Sequence, residues 1–170
     1  MTRRDLIKKW LTYGLGLLPV WLLDAYILPR YPVFGVSPIL LPLAVSVVAV
    51  LEGAYAGTGF GLTVGLLWEL AYPGGFGALV ITMAVAGMVF GAVSQYALSQ
   101  SFPTYFICAG GLLLFLDGLR IFRGLLTHTA TLSAMLQVAV PEILITLLWS
   151  PLVWLLLRRI YRKVGGTKLA

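Results

Sequence analysis

Seven charged side chains lie in or beside the apolar stretches of this sequence, and they are its first candidates for chemistry. Four are carboxylates in four different stretches and three are arginines: Asp24, Glu69, Asp117, Glu142, Arg30, Arg120 and Arg123. A charge in a membrane-spanning helix costs about 2.5–3.5 kcal/mol at the bilayer centre on insertion scales, and less near the interface. We therefore expect these groups either to form ion pairs or to line a hydrated cavity.

The spacing within this polar cluster favours one ion pair. Asp117, Arg120 and Arg123 stand three residues apart, which places them on one face of a helix. Asp117 and Arg120 are predicted to form a structural ion pair. For the carboxylates of the other stretches, a functional role and a simple interfacial position both remain open.

None of these residues belongs to a recognisable catalytic motif. The sequence contains no phosphate-binding glycine loop with its lysine, no HExxH pair and no nucleophile elbow. His128 is the only histidine and Cys108 the only cysteine, which excludes an intramolecular disulfide and a metal-ligand set. We expect no enzymatic activity, no cofactor and no metal.

The composition indicates which class of protein must position these charges. Of the 170 residues, 60% are hydrophobic and 11% are charged, and the mean hydropathy is +0.97. A soluble domain of this size cannot bury so much apolar surface, whereas a polytopic helical membrane protein exposes it to lipid. Since a span needs about 20 apolar residues, the sequence fits a single transmembrane domain over residues 1–170.

Most of the positive charge lies at the two ends of the chain. Nine of the twelve Lys and Arg residues do so: Arg3, Arg4, Lys8, Lys9, Arg158, Arg159, Arg162, Lys163 and Lys168. This positive-inside pattern predicts two cytoplasmic termini and an even number of spans. Anionic lipid headgroups are the expected partners of both ends, and no nucleic acid is expected. The first span has no small-x-small cleavage site and is predicted to be retained.

The sequence predicts an all-α integral membrane bundle of about six spans, near residues 10–28, 36–51, 54–72, 77–98, 104–126 and 135–157. Turns are predicted at 29–32, 52–53, 73–75, 99–103 and 127–133. The second span is the least regular, because Pro38 and Pro42 lie in its first half. A tilted, kinked or half-broken helix is expected there, since protein can bury such a backbone. This arrangement puts the polar cluster on the outer side.

The most regular feature of the chain is the segment 53–69, GAYAGTGFGLTVGLLWE. Four glycines recur every fourth residue and the same spacing leads to a carboxylate: Gly53, Gly57, Gly61, Gly65 and Glu69. On a helix such residues form one face, and in lipid a glycine face lets another backbone approach closely. Two interpretations remain open. The face packs against another span of the chain, with Gly87 and Gly91 marking the fourth span as the best candidate, or it binds a helix of a partner protein.

Residues 57–69, together with the chain length and the two basic ends, resemble the bacterial rod shape-determining protein MreD family. That family has a glycine-rich third span of the form G-x-x-x-G-L-x-x-acid, which here reads GLTVGLLWE from Gly61 to Glu69. The family commonly has Asp at the position of Glu69. The end of the chain is also similar, with Pro141-Glu142, Pro151 and Arg158-Arg159.

The resemblance implies a fold similar to the six-helix substrate-binding components of ECF vitamin transporters. It also implies a non-enzymatic role in the cell-elongation machinery of the bacterial inner membrane, beside MreC, the MreB filament and peptidoglycan synthases. The glycine face would then bind the span of a partner such as MreC. The alternative function is a small-molecule (vitamin) binding subunit of an ECF-type transporter, with the outer charges lining its pocket. Short outer loops and a first span without a run of small residues disfavour this alternative.

Overall fold

The computed structural model describes residues 3–31, 35–71, 77–96, 100–128 and 131–164. Within these residues the chain forms six α-helices: α1 Arg3–Leu22, α2 Leu41–Glu52, α3 Ala54–Ala71, α4 Ala78–Tyr96, α5 Phe102–Leu126 and α6 Leu132–Val164. Contacts between helix ends show that successive helices alternate in direction. We call the end of the bundle at which α1 terminates the cavity end. The opposite end, where α1 begins and α6 terminates, is called the basic end.

Among the described residues, four helical segments are long and apolar enough to cross a membrane: Ile7–Arg30, Ala78–Tyr96, Phe102–Leu126 and Leu132–Lys163. Only 33% of an apolar 18-residue stretch in each is buried inside the protein. The rest of their surface presents large apolar side chains, and Leu148 of α6, for example, is 78% exposed. Apolar patches on this scale are stable in lipid and not in water. These features indicate an integral membrane protein.

The predicted bounds of three spans agree with the structure to within two residues: α3, α4 and α5. The last residues of the predicted third and fourth spans and the predicted turn at 73–75 lie outside the described residues. The sixth helix is longer than predicted and continues through the basic residues to Val164. Lysine and arginine are good helix formers, so a charged tail can extend an apolar helix beyond the apolar run.

The second span differs most from its prediction. Instead of a helix over residues 36–51, the chain is non-helical from 36 to 40 and forms α2 only from Leu41. Pro42 occupies the first turn, where its missing N–H removes no intrahelical hydrogen bond. The 12 residues of α2 extend about 18 Å, well short of the hydrocarbon thickness of a bilayer.

Helix α2 is the centre of the bundle, and all of its residues are buried. It contacts every other helix. Most of its residues, Leu43, Val47 and Val50 among them, have no exposed surface at all. An apolar sequence alone cannot distinguish a helix buried by lipid from a helix buried by protein, and α2 is the second kind.

Helix α1 ends irregularly at the cavity end. After Leu22 it widens into a π-helical turn, Leu23–Ile27, in which the N–H of Leu28 bonds to the carbonyl of Leu23. A tighter 3₁₀ turn, Leu28–Arg30, follows. Pro29 explains the change, because its ring lacks an N–H and excludes the carbonyl of the residue four before it. Turns of this kind often occur at functional sites, and this one carries Asp24.

Candidate functional site

A cavity of about 990 Å³ opens at the cavity end of the bundle. Its walls come from the π turn of α1, the segment before α2, the end of α3, the start of α4, and the facing parts of α5 and α6. Five of the seven charged residues that the sequence analysis singles out line it: Asp24, Asp117, Arg120, Arg123 and Glu142. These five charged residues come from distant parts of the chain and lie around one cavity.

Part of the cavity lies between α4 and α5. Helix α5 packs against α2 and α6 but touches α4 at only a few positions. The gap between them is lined by apolar side chains that stay exposed, such as Leu119 (43%) and Phe122 (62%). Trp68, at the end of α3, lines the opposite wall. The cavity thus combines charged walls inside the bundle with an apolar rim on its outer surface.

Asp24 binds the backbone at the start of α2. Its Oδ1 atom accepts a hydrogen bond from the N–H of Leu40 at 2.5 Å, and the residue is only 5% exposed. Nearby, the hydroxyl of Thr146 from α6 accepts a hydrogen bond from the N–H of Ile39 at 3.0 Å. Backbone donors at a buried helix start need such acceptors, and an anion there also interacts favourably with the helix dipole. The sequence did not predict this capping role.

The structure corrects the predicted partner of Arg120. Its Nη1 atom donates to Oε2 of Glu142 on α6 at 3.0 Å, instead of pairing with Asp117 on its own helix. The Arg120 side chain is 62% exposed, while that of Glu142 is 7% exposed. A pair with one solvated partner contributes little stability. Its structural effect is to join α5 to α6 beside the cavity.

Asp117 is a buried charged residue of the cavity wall. It is only 7% exposed, yet no hydrogen bond or ion pair joins its carboxylate to another described residue. Arg120, one turn further along α5, is close enough to interact with it electrostatically. A second cavity of about 280 Å³ between α5 and α6 also has Asp117 and Arg120 in its wall. Asp117 therefore faces open space on two sides.

Two residues of the predicted sites lie elsewhere. Arg30 is exposed at the end of the 3₁₀ turn and does not line the cavity. Glu69 lies half-buried in the last turn of α3, next to the cavity residue Trp68 but not itself in the wall. Its Oε1 atom is buried and accepts no hydrogen bond from the part of the chain described here.

The glycine face of α3 packs against α4 of the same chain. A Cβ atom added to Gly57 would lie 2.5 Å from the carbonyl oxygen of Gly87, and one on Gly65 would lie 2.5 Å from Cα of Val80. A Cβ on Gly61 would collide with the carbonyl of Met83. The two backbones touch along the whole seam, as small-xxx-small crossings allow. Gly57, Gly61 and Gly65 thus pack within the chain, as the first of the two interpretations expects.

Gly53 is not part of the helical ladder. It stands between α2 and α3 with φ of +89°, a conformation that side chains disfavour, and so makes the predicted turn at 52–53 possible in one residue. A Cβ on Gly53 would collide with the side chain of Gln95 of α4. The ladder that packs as a helix face therefore begins at Gly57.

A second polar site lies at the basic end, where the sequence predicted only charges at the membrane interface. Lys9 donates to Oε2 of Glu52 at 2.5 Å, and the hydroxyl of Tyr13 donates to Oε1 of Glu52 at 2.8 Å. Both charged residues are 6% exposed. This buried network ties α1 to the last residue of α2. No spacing rule could have indicated it, because the ion pair spans 43 positions of sequence.

The end of α2 is also capped by its neighbours. The hydroxyl of Ser94 on α4 lies 3.3 Å from the carbonyl oxygen of Val50, and Nε2 of Gln100 donates to the carbonyl of Leu51 at 3.2 Å. The last carbonyls of a helix have no intrahelical partner and need such donors when buried. Both ends of the central helix are thus satisfied by side chains from surrounding elements.

The remaining candidates form no further site. Cys108 is 3% exposed and belongs to the apolar core. His128 follows α5 with a positive φ of 51°. Within the described stretches, no group of three His, Cys, Asp or Glu residues could hold a metal ion.

Comparison of the chain with protein-family models, with curated proteins and with solved structures finds no match.

Proposed function

We propose that this protein is a non-enzymatic integral membrane scaffold of the bacterial cell-elongation machinery, resembling MreD. It would lie in the inner membrane with both termini in the cytoplasm and bind the span of a single-span protein of the MreC kind, beside elongation peptidoglycan synthases. Support comes from the residues of the resemblance. The motif from Gly61 to Glu69 begins in the seam that joins α3 to α4.

The observation that carries the scaffold proposal is an open face of α5. A Cβ atom added to Gly111 or Gly118 would meet nothing within 4 Å. Between these glycines, Leu114 is 64% and Phe115 is 56% exposed. Open glycines on a lipid-facing helix let a second helix approach closely, and association in lipid relies on such packing. We therefore propose that the partner's span packs on α5, because the glycine face of α3 is occupied by α4.

The basic end supports the proposed orientation. Arg158, Arg159, Arg162 and Lys163 are exposed along the last turns of α6. Positive charges beside a span favour the cytoplasmic side and attract anionic lipid headgroups. The proposal keeps six crossings, because residues 36–40, if fully extended, would add about 17 Å to the length of α2.

Substitution of the open glycines tests this proposal. Gly111→Leu and Gly118→Leu should each abolish co-purification with a co-expressed single-span MreC-like protein. Gly14→Leu is the matched control, because Gly14 on α1 is equally open and the same bulk there should leave binding unchanged. Unchanged co-purification in both α5 variants, or equal loss in Gly14→Leu, would exclude α5 as the docking helix.

A second candidate function is favoured by the cavity. Its volume of about 990 Å³ and its charged walls suit a small-molecule binding subunit of an ECF-type transporter. A thermal-shift screen of the purified protein against vitamins tests this candidate. Stabilisation by one compound that is lost in Asp117→Asn would favour it over the scaffold.

A further inference from the structure

Two charged residues of the cavity wall are left without a protein partner. The carboxylate of Asp24 is engaged by the Leu40 N–H, and that of Glu142 by Arg120. Asp117 and Arg123 line the same cavity, and neither forms a hydrogen bond or ion pair through its side chain with the described residues. A buried carboxylate without a partner is costly, and a ligand that donates to it removes the cost.

The two groups follow one another along α5. Asp117 and Arg123 are six positions apart, which is about 9 Å along the helix axis, and Arg120 lies midway. Asp117 is the more deeply placed, and Arg123 is nearer the end of the helix at Leu126. Arg120 uses one N–H group on Glu142 and has others to offer. The wall thus presents an anion inside and two guanidinium groups above it.

The cavity opens towards the apolar surface of the bundle. Leu119, Phe122 and Leu126 belong to its wall and are 43%, 62% and 66% exposed, on the side where α4 and α5 diverge. In a bilayer this side faces acyl chains. A ligand that fills the cavity can therefore extend an apolar part between α4 and α5 without meeting a polar surface.

We propose that the cavity binds the zwitterionic headgroup of a phospholipid. Its ammonium donates to the carboxylate of Asp117, its phosphate is bound by Arg123 and the free N–H groups of Arg120, and its acyl chains leave between α4 and α5. Guanidinium groups bind phosphate by paired, charge-assisted hydrogen bonds. Soluble phosphoethanolamine carries the same two groups, and the apolar rim selects the lipid. This inference depends on the cavity and not on partner docking at α5.

Native mass spectrometry of the purified full chain tests the lipid site. The protein is mixed with phosphatidylethanolamine, phosphatidylcholine or phosphatidylglycerol of identical acyl chains. We expect one phosphatidylethanolamine to be retained about tenfold more than either other lipid, the difference of a charge-assisted hydrogen bond. Phosphatidylcholine tests the hydrogen bond from the lipid ammonium to Asp117 without any change to the protein, because its methylated ammonium cannot donate one.

Two variants and one control locate the site. Asp117→Asn should remove the preference for phosphatidylethanolamine over phosphatidylglycerol. Arg123→Gln should lower retention of all three lipids. Arg162→Gln, an exposed residue of α6 at the basic end, should change neither. Both cavity substitutions break no hydrogen bond of the described residues, so the fold should persist, as circular dichroism would verify.

Three results would overturn the proposal. Equal retention of the three lipids by the unmodified protein excludes an ammonium contact. An unchanged lipid preference in Asp117→Asn places the contact elsewhere. Displacement of the lipid by an equal concentration of soluble phosphoethanolamine shows that the acyl chains contribute nothing, and excludes the lipid as the ligand.

Discussion

The Oδ1 atom of Asp24 lies 2.5 Å from the backbone nitrogen of Leu40, so a side chain at the end of α1 caps the start of α2. The two residues are 16 positions apart, and neither belongs to the helix of the other. Because Leu40 and the first residues of α2 are buried, the start of the helix depends on such contacts for its backbone donors.

Replacing the capping carboxylate should destabilise the bundle. Asp24→Leu leaves the Leu40 N–H buried without an acceptor, and we expect a loss of about 1–3 kcal/mol. Asp24→Asn keeps an acceptor oxygen and should lose less. The measurement is reversible unfolding in mixed detergent micelles.

The hydroxyl of Thr146 provides a second test of the same idea. Thr146→Val removes the acceptor of the Ile39 N–H and should lower the free energy of unfolding by about 1 kcal/mol. Thr63→Val is the control, since its exposed hydroxyl bonds only to the carbonyl of Gly59 in its own helix. If Thr63→Val destabilises as much as Thr146→Val, loss of any hydroxyl would explain the result.

The seam between α3 and α4 predicts opposite outcomes for neighbouring glycines. Gly61→Ala drives a methyl group into the Met83 carbonyl. We expect it to lower the free energy of unfolding by about 1–3 kcal/mol, as overpacking does. Gly59→Ala meets only the ring of Trp10 at 3.9 Å and should be neutral or slightly stabilising. Melting temperatures in one detergent compare the two variants. Equal tolerance of both substitutions would contradict the backbone contact.

The buried ion pair predicts non-additive substitutions. Lys9→Met leaves the charge of Glu52 buried and should cost about 3–5 kcal/mol. Combining it with Glu52→Gln, which keeps an acceptor for Tyr13, should recover most of that loss. Lys8→Met is the control, because Lys8 is exposed and its loss should stay within about 0.5 kcal/mol. Additive effects in the double variant would mean that Lys9 and Glu52 do not act as a pair.

The proposed orientation predicts which cysteines are labelled from each side of the membrane. In a Cys108→Ala background, His128→Cys should react with a membrane-impermeant maleimide added to intact cells. Lys163→Cys should react only after the cells are opened. The reverse pattern would invert the orientation. Labelling of both positions in intact cells would contradict a crossing by α6.

Repeated local patterns made part of the structure predictable. Four-residue glycine spacing predicts the seam of α3 with α4, because both faces lie within single helices. Charges at matching levels of several apolar stretches predict the polar wall of the cavity. In each case the pattern lies within single helical segments. Burial in a membrane leaves few arrangements in which close-packed glycines or charged side chains are stable.

What sequence reasoning missed depends on contacts between distant segments. The burial of Lys9 against Glu52 contradicts the reading of Lys9 as an interfacial charge, because composition cannot show which lysine of a basic tail turns inward. The partner of Arg120 is on α6 and not one turn away, since the helix crossing decides which carboxylate it reaches. The sequence likewise could not show that the glycine face of α3 is filled, because this depends on where α4 packs.

The complete enclosure of α2 separates the interior of this protein from the bilayer around it. The outer helices must match the thickness and fluidity of the surrounding lipid, and they can do so by tilting. The central helix is surrounded by other parts of the protein, so a change of membrane composition reaches it indirectly, through shifts of its neighbours. In organisms that remodel their lipids with temperature, the outer helices of this protein would thus respond before α2 does.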